Sequence, residues 1–298
     1  MTFDIISGST VPSLSANIAW RLGVKAHYPS ITKFPDGEIR VIEGDYTPLE
    51  TVVYVQTMHP WPNDTLVEMM ITVDLLRELG AKRVIAVVPY LGYMRQDARH
   101  EKGEAVSVRT VLKTLDYVGV NDIVGADLHL HRLGRAELES FCKITIHEVS
   151  AMDLLAKKAG KTLAKPLVIG PDEESERWAA RAAELLGTDY DVLEKTRFSA
   201  KHIEIKPRKL DAKGRDVLII DDIVSTGGTL MEVIKSLKAQ GAGKITAACT
   251  HAVLSDIDTL TGLFRAGMDE FIATNTINNE FGIVDVSGII ADKLKSIA

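Results

Sequence analysis

Asp221 and Asp222 follow the apolar run Val217-Leu218-Ile219-Ile220. After them come Ile223-Val224-Ser225-Thr226-Gly227-Gly228-Thr229 and a helical pattern beginning Leu230-Met231-Glu232-Val233-Ile234. A buried strand therefore ends in two carboxylates, turns through glycines and enters a helix. That order suits a phosphorylated sugar. Main-chain N–H groups at a helix N-terminus hold phosphate, and paired carboxylates accept hydrogen bonds from ribose hydroxyls. The glycines alone would fit an ordinary turn, with Thr229 capping the helix. Two adjacent acids are not needed for such a turn, and the carboxyl end of a strand is where open α/β sheets take ligands. The Gly-Lys-Ser/Thr ending of a Walker A loop is absent.

Other stretches carry reactive groups. Tyr90-Leu91-Gly92-Tyr93-Met94-Arg95-Gln96-Asp97 comes after an apolar strand that Pro89 ends, and it gathers two tyrosines, an Arg, a Gln and an Asp in one loop. Arg95 can pair with phosphate or stack on a base. Asp127-Leu128-His129-Leu130-His131 ends another strand, where period-two alternation predicts Asp127, His129 and His131 on one face. Alone, that spacing leaves a transition-metal site open, although no third protein ligand is evident. Lys195-Thr196-Arg197 sets two cations at i and i+2 of an extended segment. Asp172 adds a carboxylate after the run 167–170, and Glu173 and Glu174 fit the usual acids of a first helical turn. Phe34-Pro35-Asp36-Gly37-Glu38 reads by itself as a Pro-Asp-Gly turn.

The elements that must position these groups alternate. Strands are expected at 3–7, 52–57, 83–88, 122–127, 167–170, 192–194, 216–221, 244–249 and 270–274. Helices are expected near 11–22, 64–79, 105–117, 150–159, 174–187, 228–240 and 285–296. This predicts an α/β protein with mostly parallel sheets flanked by helices. Two stretches look like copies of one unit: Asp64-Thr65-Leu66-Val67-Glu68-Met69 leading to Gly80-Ala81-Lys82-Arg83, and Gly228-Thr229-Leu230-Met231-Glu232-Val233 leading to Gly241-Ala242-Gly243-Lys244. In each, a glycine stops a helix and a basic residue enters a strand. With 298 residues available, two similar domains are expected, 1–147 and 148–298. The pattern of the last helix does not say which of them it covers.

The net charge of -6 gives no basic footprint for a nucleic-acid partner. No apolar run reaches the roughly 18 residues of a membrane span. The start, Met1-Thr2-Phe3-Asp4-Ile5-Ile6-Ser7-Gly8, reads as a strand and not as a signal peptide. The two cysteines, Cys142 and Cys249, make neither a disulfide scaffold nor a four-cysteine zinc site. A cytoplasmic location is the expectation.

The segment Asp221–Thr229 resembles the phosphoribosyl-diphosphate loop of the type I phosphoribosyltransferase fold. Together with Phe34–Glu38, Tyr90–Asp97 and Asp127–His129, in that order and spacing, it is similar to the ribose-phosphate diphosphokinases, also called phosphoribosyl diphosphate synthetases. The resemblance spans nearly the whole chain. It implies transfer of the diphosphoryl group of ATP to ribose 5-phosphate, with Mg²⁺ as cofactor. It implies ATP contacts from Phe34, Asp36, Gly37, Glu38, Arg95, Gln96 and Asp97, the loop at 34–38 reaching across to a neighbouring subunit, so that self-association completes the site. Ribose 5-phosphate falls to Arg197, Asp221, Asp222, Ser225, Thr226, Gly227, Gly228 and Thr229, catalysis to Lys195 and Arg197, and metal contacts to His129 and Asp172. This chain departs from the family in three places. Glu174 and Ser175 replace two glycines, Ser225 stands where many synthetases carry Asp, and 198–206 lacks the usual Pro-rich wording. A phosphoribosyltransferase would share only the loop at 221–229. Non-catalytic synthetase-associated proteins tend to lose catalytic residues or gain insertions, whereas His129, Lys195, Arg197 and the full loop are present here and the length is compact.

Overall fold

The computed structural model describes residues 3–99, 101–130, 134–197, 203–207, 211–254 and 257–298, with the backbone alone for 194–197, 203–207 and 257. The chain divides into two units by its contacts: Met1–Ser150 with Thr276–Asn278 and Val286–Ala298, and Ala151–Asn275 with Asn279–Asp285.

In the first unit, strands β1 (Phe3–Ser7), β2 (Ala26–His27), β5 (Thr51–Val55), β6 (Arg83–Val87), β7 (Asp122–Ala126) and β8 (Thr145–Val149) form a sheet in the order β2-β1-β5-β6-β7-β8. All its pairings are parallel. Helices α1 (Pro12–Leu22), α2 (Pro62–Glu78), α3 (Ser107–Tyr117) and the short α4 (Arg135–Glu139) connect them. A separate hairpin of β3 (Ser30–Lys33) and β4 (Ile39–Ile42) stands apart from this sheet. Pro12 and Pro62 open their helices at positions where a missing N–H costs nothing. The last helix, α9 (Ser287–Ile297), belongs to this unit. Arg21 Nε donates to Ser287 Oγ at 2.7 Å, and Arg83 donates to the Ile297 carbonyl at 2.8 Å. Arg83 also pairs with buried Asp122, whose other oxygen meets His147 Nε2 at 3.0 Å.

In the second unit, β9 (Leu167–Gly170), β10 (Tyr190–Arg197), β11 (Ile203–Pro207), β12 (Val217–Val224), β13 (Ile245–Ala252), β14 (Glu270–Thr274) and β15 (Gly282–Val284) run in the order β11-β10-β9-β12-β13-β14-β15. Only β10–β11 is antiparallel among its described pairings. Helices α5 (Met152–Ala159), α6 (Glu176–Leu186), α7 (Gly228–Ala239) and α8 (Ile257–Ala266) flank it. Alternate residues of β12 serve opposite faces: Val217 and Ile219 pack with α7 and α8, Leu218 and Ile220 with α5 and α6. Each such fully buried Ile or Leu stabilises the fold by about 1.5–3 kcal/mol.

With β11 set aside, the two sheets share one strand order. α2 and α7 take equivalent places, each leading to a glycine at positive φ, Gly80 at 112° and Gly241 at 86°. The α/β architecture of two similar units is therefore as expected. The expected elements need amendment elsewhere. β12 continues through both carboxylates to Val224, and β10 runs on through Lys195 and Arg197. The strand at 122–126 stops before Asp127, which turns with φ 38°. The alternation that would set Asp127, His129 and His131 on one face is thereby broken, and His131 lies outside the described residues. Among the described residues, no helix is long and apolar enough to cross a membrane.

Candidate active site

The turn from β12 into α7 is built by Gly227, the helix N-cap, at φ 69°. A Cβ there would lie 2.9 Å from Thr259 Cγ2, so both conformation and space demand glycine. No side chain caps α7, and Thr229 is not the cap that the sequence allows. Its first N–H groups point into a turn where Thr226, Gly228 and Thr229 are exposed and Ser225 is half-buried. Such an end favours an anion.

Asp222 is buried and Asp221 half-buried just before this turn, with the Asp222 N–H donating to Asp221 Oδ1 at 3.0 Å. Burial, then the charges of Asp222 and Asp172, push the Asp221 carboxyl well above the usual carboxylate range. Cys249, opposite Asp221 on β13, is fully buried, and burial together with Asp221 holds its thiol protonated. Sequence pattern alone reveals neither Cys249 as a neighbour of the acids nor Thr259 beneath Gly227. Both depend on strand register or on helix packing that no local pattern displays.

The turn after β9 accounts for Ser175 in place of a glycine. Asp172 and Ser175 form a capping box: Ser175 N donates to Asp172 Oδ1 at 3.1 Å, and Asp172 N donates to Ser175 Oγ at 3.2 Å. Ser175 is buried with its hydroxyl turned inward, while Asp172, Glu173 and Glu174 are exposed. Gly170 has room for nothing larger, because its Cβ would meet Ser175 Oγ at 2.7 Å.

Lys195 and Arg197 occupy alternate positions of β10, opposite Ile205 and Ile203 of β11 in an edge hairpin. Their side chains lie outside the described ones, as do residues 198–202 entirely.

In the first unit, Phe34, Asp36, Gly37 and Glu38 form the exposed tip of the β3–β4 hairpin. Phe34 N donates to Glu38 O at 2.9 Å, and Gly37 takes φ 95°. Phe34 presents 48% of its surface to solvent. Below it Lys33 pairs with Asp64 and lies over the Trp61 ring. The loop after β6 buries Leu91, Met94 and Asp97 and exposes Arg95. Tyr93 adopts φ 66°, a strained conformation for a bulky residue, with its hydroxyl on Asn63, and Gln96 bonds Glu104. His129, half-buried, comes just after the Asp127 turn.

The first unit also holds a network that the motifs do not display. Buried Glu68 accepts hydrogen bonds from Ser9 N, Ser9 Oγ, Tyr54 Oη and Gln56 Nε2 at 2.6–3.2 Å. Glu68 sits in the repeated stretch where the second copy carries exposed Glu232, so a helical acid has been turned inward in one copy only.

Residues 3–119 match the family described as the N-terminal domain of ribose phosphate pyrophosphokinase, and residues 145–275 match the phosphoribosyl transferase domain. A ribose-phosphate pyrophosphokinase of Methanopyrus kandleri is 39% identical over 277 residues, covering 89% of each chain. One from Methanothermobacter thermautotrophicus is 36% identical and covers 98% of this chain and 99% of its own. The chain belongs to the ribose-phosphate pyrophosphokinase family. The crystal structure of phosphoribosylpyrophosphate synthetase from Mycobacterium smegmatis superposes with a TM-score of 0.86 at 28% identity, covering 100% of this chain and 99% of that one. For a pyrophosphokinase, the groups that meet in the second unit are Asp172, Asp221 and Asp222, linked through their charges, with the Ser225–Thr229 turn continuous with them. The hairpin tip 34–38, the loop 90–97 and His129 are carried by three other loops of the first unit.

Proposed function

We propose that this chain transfers the diphosphoryl group of ATP to the 1-hydroxyl of ribose 5-phosphate, giving 5-phosphoribosyl 1-diphosphate and AMP in the cytoplasm, as a step of nucleotide biosynthesis. The observation that carries this reading is the uncapped N-terminus of α7, with exposed Thr226, Gly228 and Thr229, directly after two carboxylates on a buried strand. The 5-phosphate rests on the N–H groups and hydroxyls of Ser225–Thr229, and Asp221 and Asp222 take the ribose hydroxyls. With Ser in place of Asp at 225, the turn offers a hydroxyl and one less negative charge to that phosphate.

ATP is held by Arg95 and Gln96, with Asp97 supporting their loop, and by Phe34, Asp36, Gly37 and Glu38 of a neighbouring copy. The exposed Phe34 at a hairpin tip supports this shared site. The ribose O1 attacks the β-phosphorus, its proton passes to solvent, and the bond to the α–β bridging oxygen breaks as AMP leaves. Lys195 and Arg197 neutralise charge on the transferred group, the contribution that dominates such reactions.

The donors fit Mg²⁺, which prefers oxygen ligands. Burial first, and then the charges of Asp222 and Asp172, raise the affinity of Asp221 for a proton, whose place a divalent cation would take. Among the described residues no three His, Cys, Asp or Glu side chains form a ready-made metal cluster. Mg²⁺ usually keeps several waters and takes substrate phosphates beside one or two carboxylates. Bound at these carboxylates, Mg²⁺ would neutralise phosphate charge; His129 of the first unit would serve the magnesium carried by ATP, through metal-bound water, since imidazole is a poor magnesium ligand.

The test is AMP formation from ATP and ribose 5-phosphate by the purified chain with Mg²⁺. A phosphoribosyltransferase releases no AMP from these two substrates, and a regulatory relative alone is inactive. Either outcome would overturn the proposal.

A further inference from the structure

We infer that Thr57 is a positioning residue for the nucleotide, acting through the loop Tyr90–Asp97. The inference rests on reading that loop as an ATP contact. Thr57 lies two residues past β5 and is fully buried. Its hydroxyl joins two main-chain groups. It accepts the Tyr90 N–H at 3.2 Å and donates to the Thr276 carbonyl at 2.7 Å. The next N–H, that of Met58, donates to the Tyr90 carbonyl at 3.0 Å. Both main-chain groups of Tyr90 are therefore held by residues 57 and 58.

Tyr90 is the first residue of the loop, and the residues after it have little freedom. Leu91 and Met94 are buried, and Gly92 lies so close to Met58 that a Cβ would approach the Met58 Cβ to 3.3 Å. Tyr93 then takes its left-handed turn, and Arg95 emerges into solvent. A loop packed in this way transmits a shift of its first residue to its exposed one, since close-packed side chains cannot absorb it locally. The position of the Arg95 guanidinium therefore depends on the anchoring at Tyr90.

The other end of the bridge is informative as well. Thr276 is fully buried and belongs to the three-residue segment Thr276–Asn278, which comes after β14 in the chain yet belongs by its contacts to the first unit. One hydroxyl thus ties residues 33 and 219 positions away. Only a side chain that both donates and accepts serves here. Serine retains that chemistry, and valine retains the shape alone.

The experiment is steady-state kinetics of the full chain with Thr57→Val and Thr57→Ser, varying ATP and ribose 5-phosphate separately. Thr57→Val is expected to raise KM for ATP about tenfold, the usual effect of losing one buried hydrogen-bond partner. It leaves kcat and KM for ribose 5-phosphate within about twofold, and Thr57→Ser restores KM for ATP. A merely structural role lowers Tm while leaving KM for ATP unchanged, and that result overturns the proposal. Should Thr57→Val fail to fold, Thr57→Ala is read in the same way, with amide exchange across 90–97 as a second measure: faster exchange supports the proposal and unchanged exchange overturns it. Arg95→Ala separates the two levels. If it leaves KM for ATP unchanged, the loop reading fails and takes the Thr57 proposal with it. If it raises KM while the Thr57 variants do not, the Thr57 proposal alone is overturned.

Discussion

Replacing Gly227 by alanine tests the α7 turn, and its cost can be worked from two separate sources. The residue holds φ 69°, which an L-residue adopts at a cost of about 1–2 kcal/mol. The added methyl would lie 2.9 Å from Thr259 Cγ2, short of the roughly 3.5 Å of a relaxed carbon contact. Thr259 is itself nearly buried, so relief requires a shift within α8, and overpacking of this kind adds about 1 kcal/mol. The free protein can release this total of about 2–3 kcal/mol by letting the turn relax, but phosphate binding must restore it. KM for ribose 5-phosphate should then rise roughly 30- to 150-fold while KM for ATP changes little. The two sources separate in a Thr259→Ser background, which removes the opposing methyl and keeps the hydroxyl. There Gly227→Ala should cost only the backbone part, recovering about fivefold in KM. Steady-state kinetics on the four proteins of this cycle provide the assay. Near-normal KM for ribose 5-phosphate in Gly227→Ala would refute the phosphate-turn reasoning, and equal effects in both backgrounds would refute the steric part.

Lys195→Ala should lower kcat far more than it changes ATP affinity; near-normal turnover in steady-state kinetics would remove Lys195 from the catalytic role. Glu68→Leu deprives Ser9, Tyr54 and Gln56 of an acceptor they share in the interior, so a loss of about 3–5 kcal/mol in denaturant unfolding is expected, with Glu68→Gln milder. A Glu68→Leu protein of native stability would contradict that network. Desolvation raises Glu43 from an ordinary 4.5 to about 7. Between these values the folded state binds a proton that the unfolded chain has released, so stability declines as pH rises through this window and is flat below it. Glu43 is partly exposed, and solvent screening limits the effect to about 1 kcal/mol. Tm measured between about pH 5 and pH 8 should show a decline that Glu43→Gln lacks; an identical decline in the variant would assign it to another group.

Legibility in the sequence tracks burial and locality. The central parallel strands are buried on both faces, so 83–88, 167–170 and 270–274 read as short, mainly apolar runs, and the strands found there agree to within a residue. The hairpin β3–β4 has mixed, largely exposed residues, only 192–194 of β10 reads as a strand in the sequence, and β8 (Thr-Ile-His-Glu-Val) alternates too weakly to stand out. Helix α8 is absent from the expected elements, although its periodicity is sound, because its apolar residues are spread among polar ones.

The character of the sugar-phosphate turn is written locally. Strand, acids, glycines and helix are consecutive in Asp221–Thr229, so their geometry comes from neighbouring residues alone. The order of motifs that identifies the family is likewise a property of the chain before it folds. Tertiary structure decided whatever joins distant residues. It made Gly227 and not Thr229 the helix cap, turned Ser175 inward in place of a glycine, and drew Glu68 to a loop 59 residues away. It also bent the chain at Asp127 and set α9 against α1 in the first unit, where a helical pattern says only that one face must be covered. Periodicity encodes which residues avoid water, but the partner that excludes it is selected by packing and hydrogen-bond satisfaction over the whole unit.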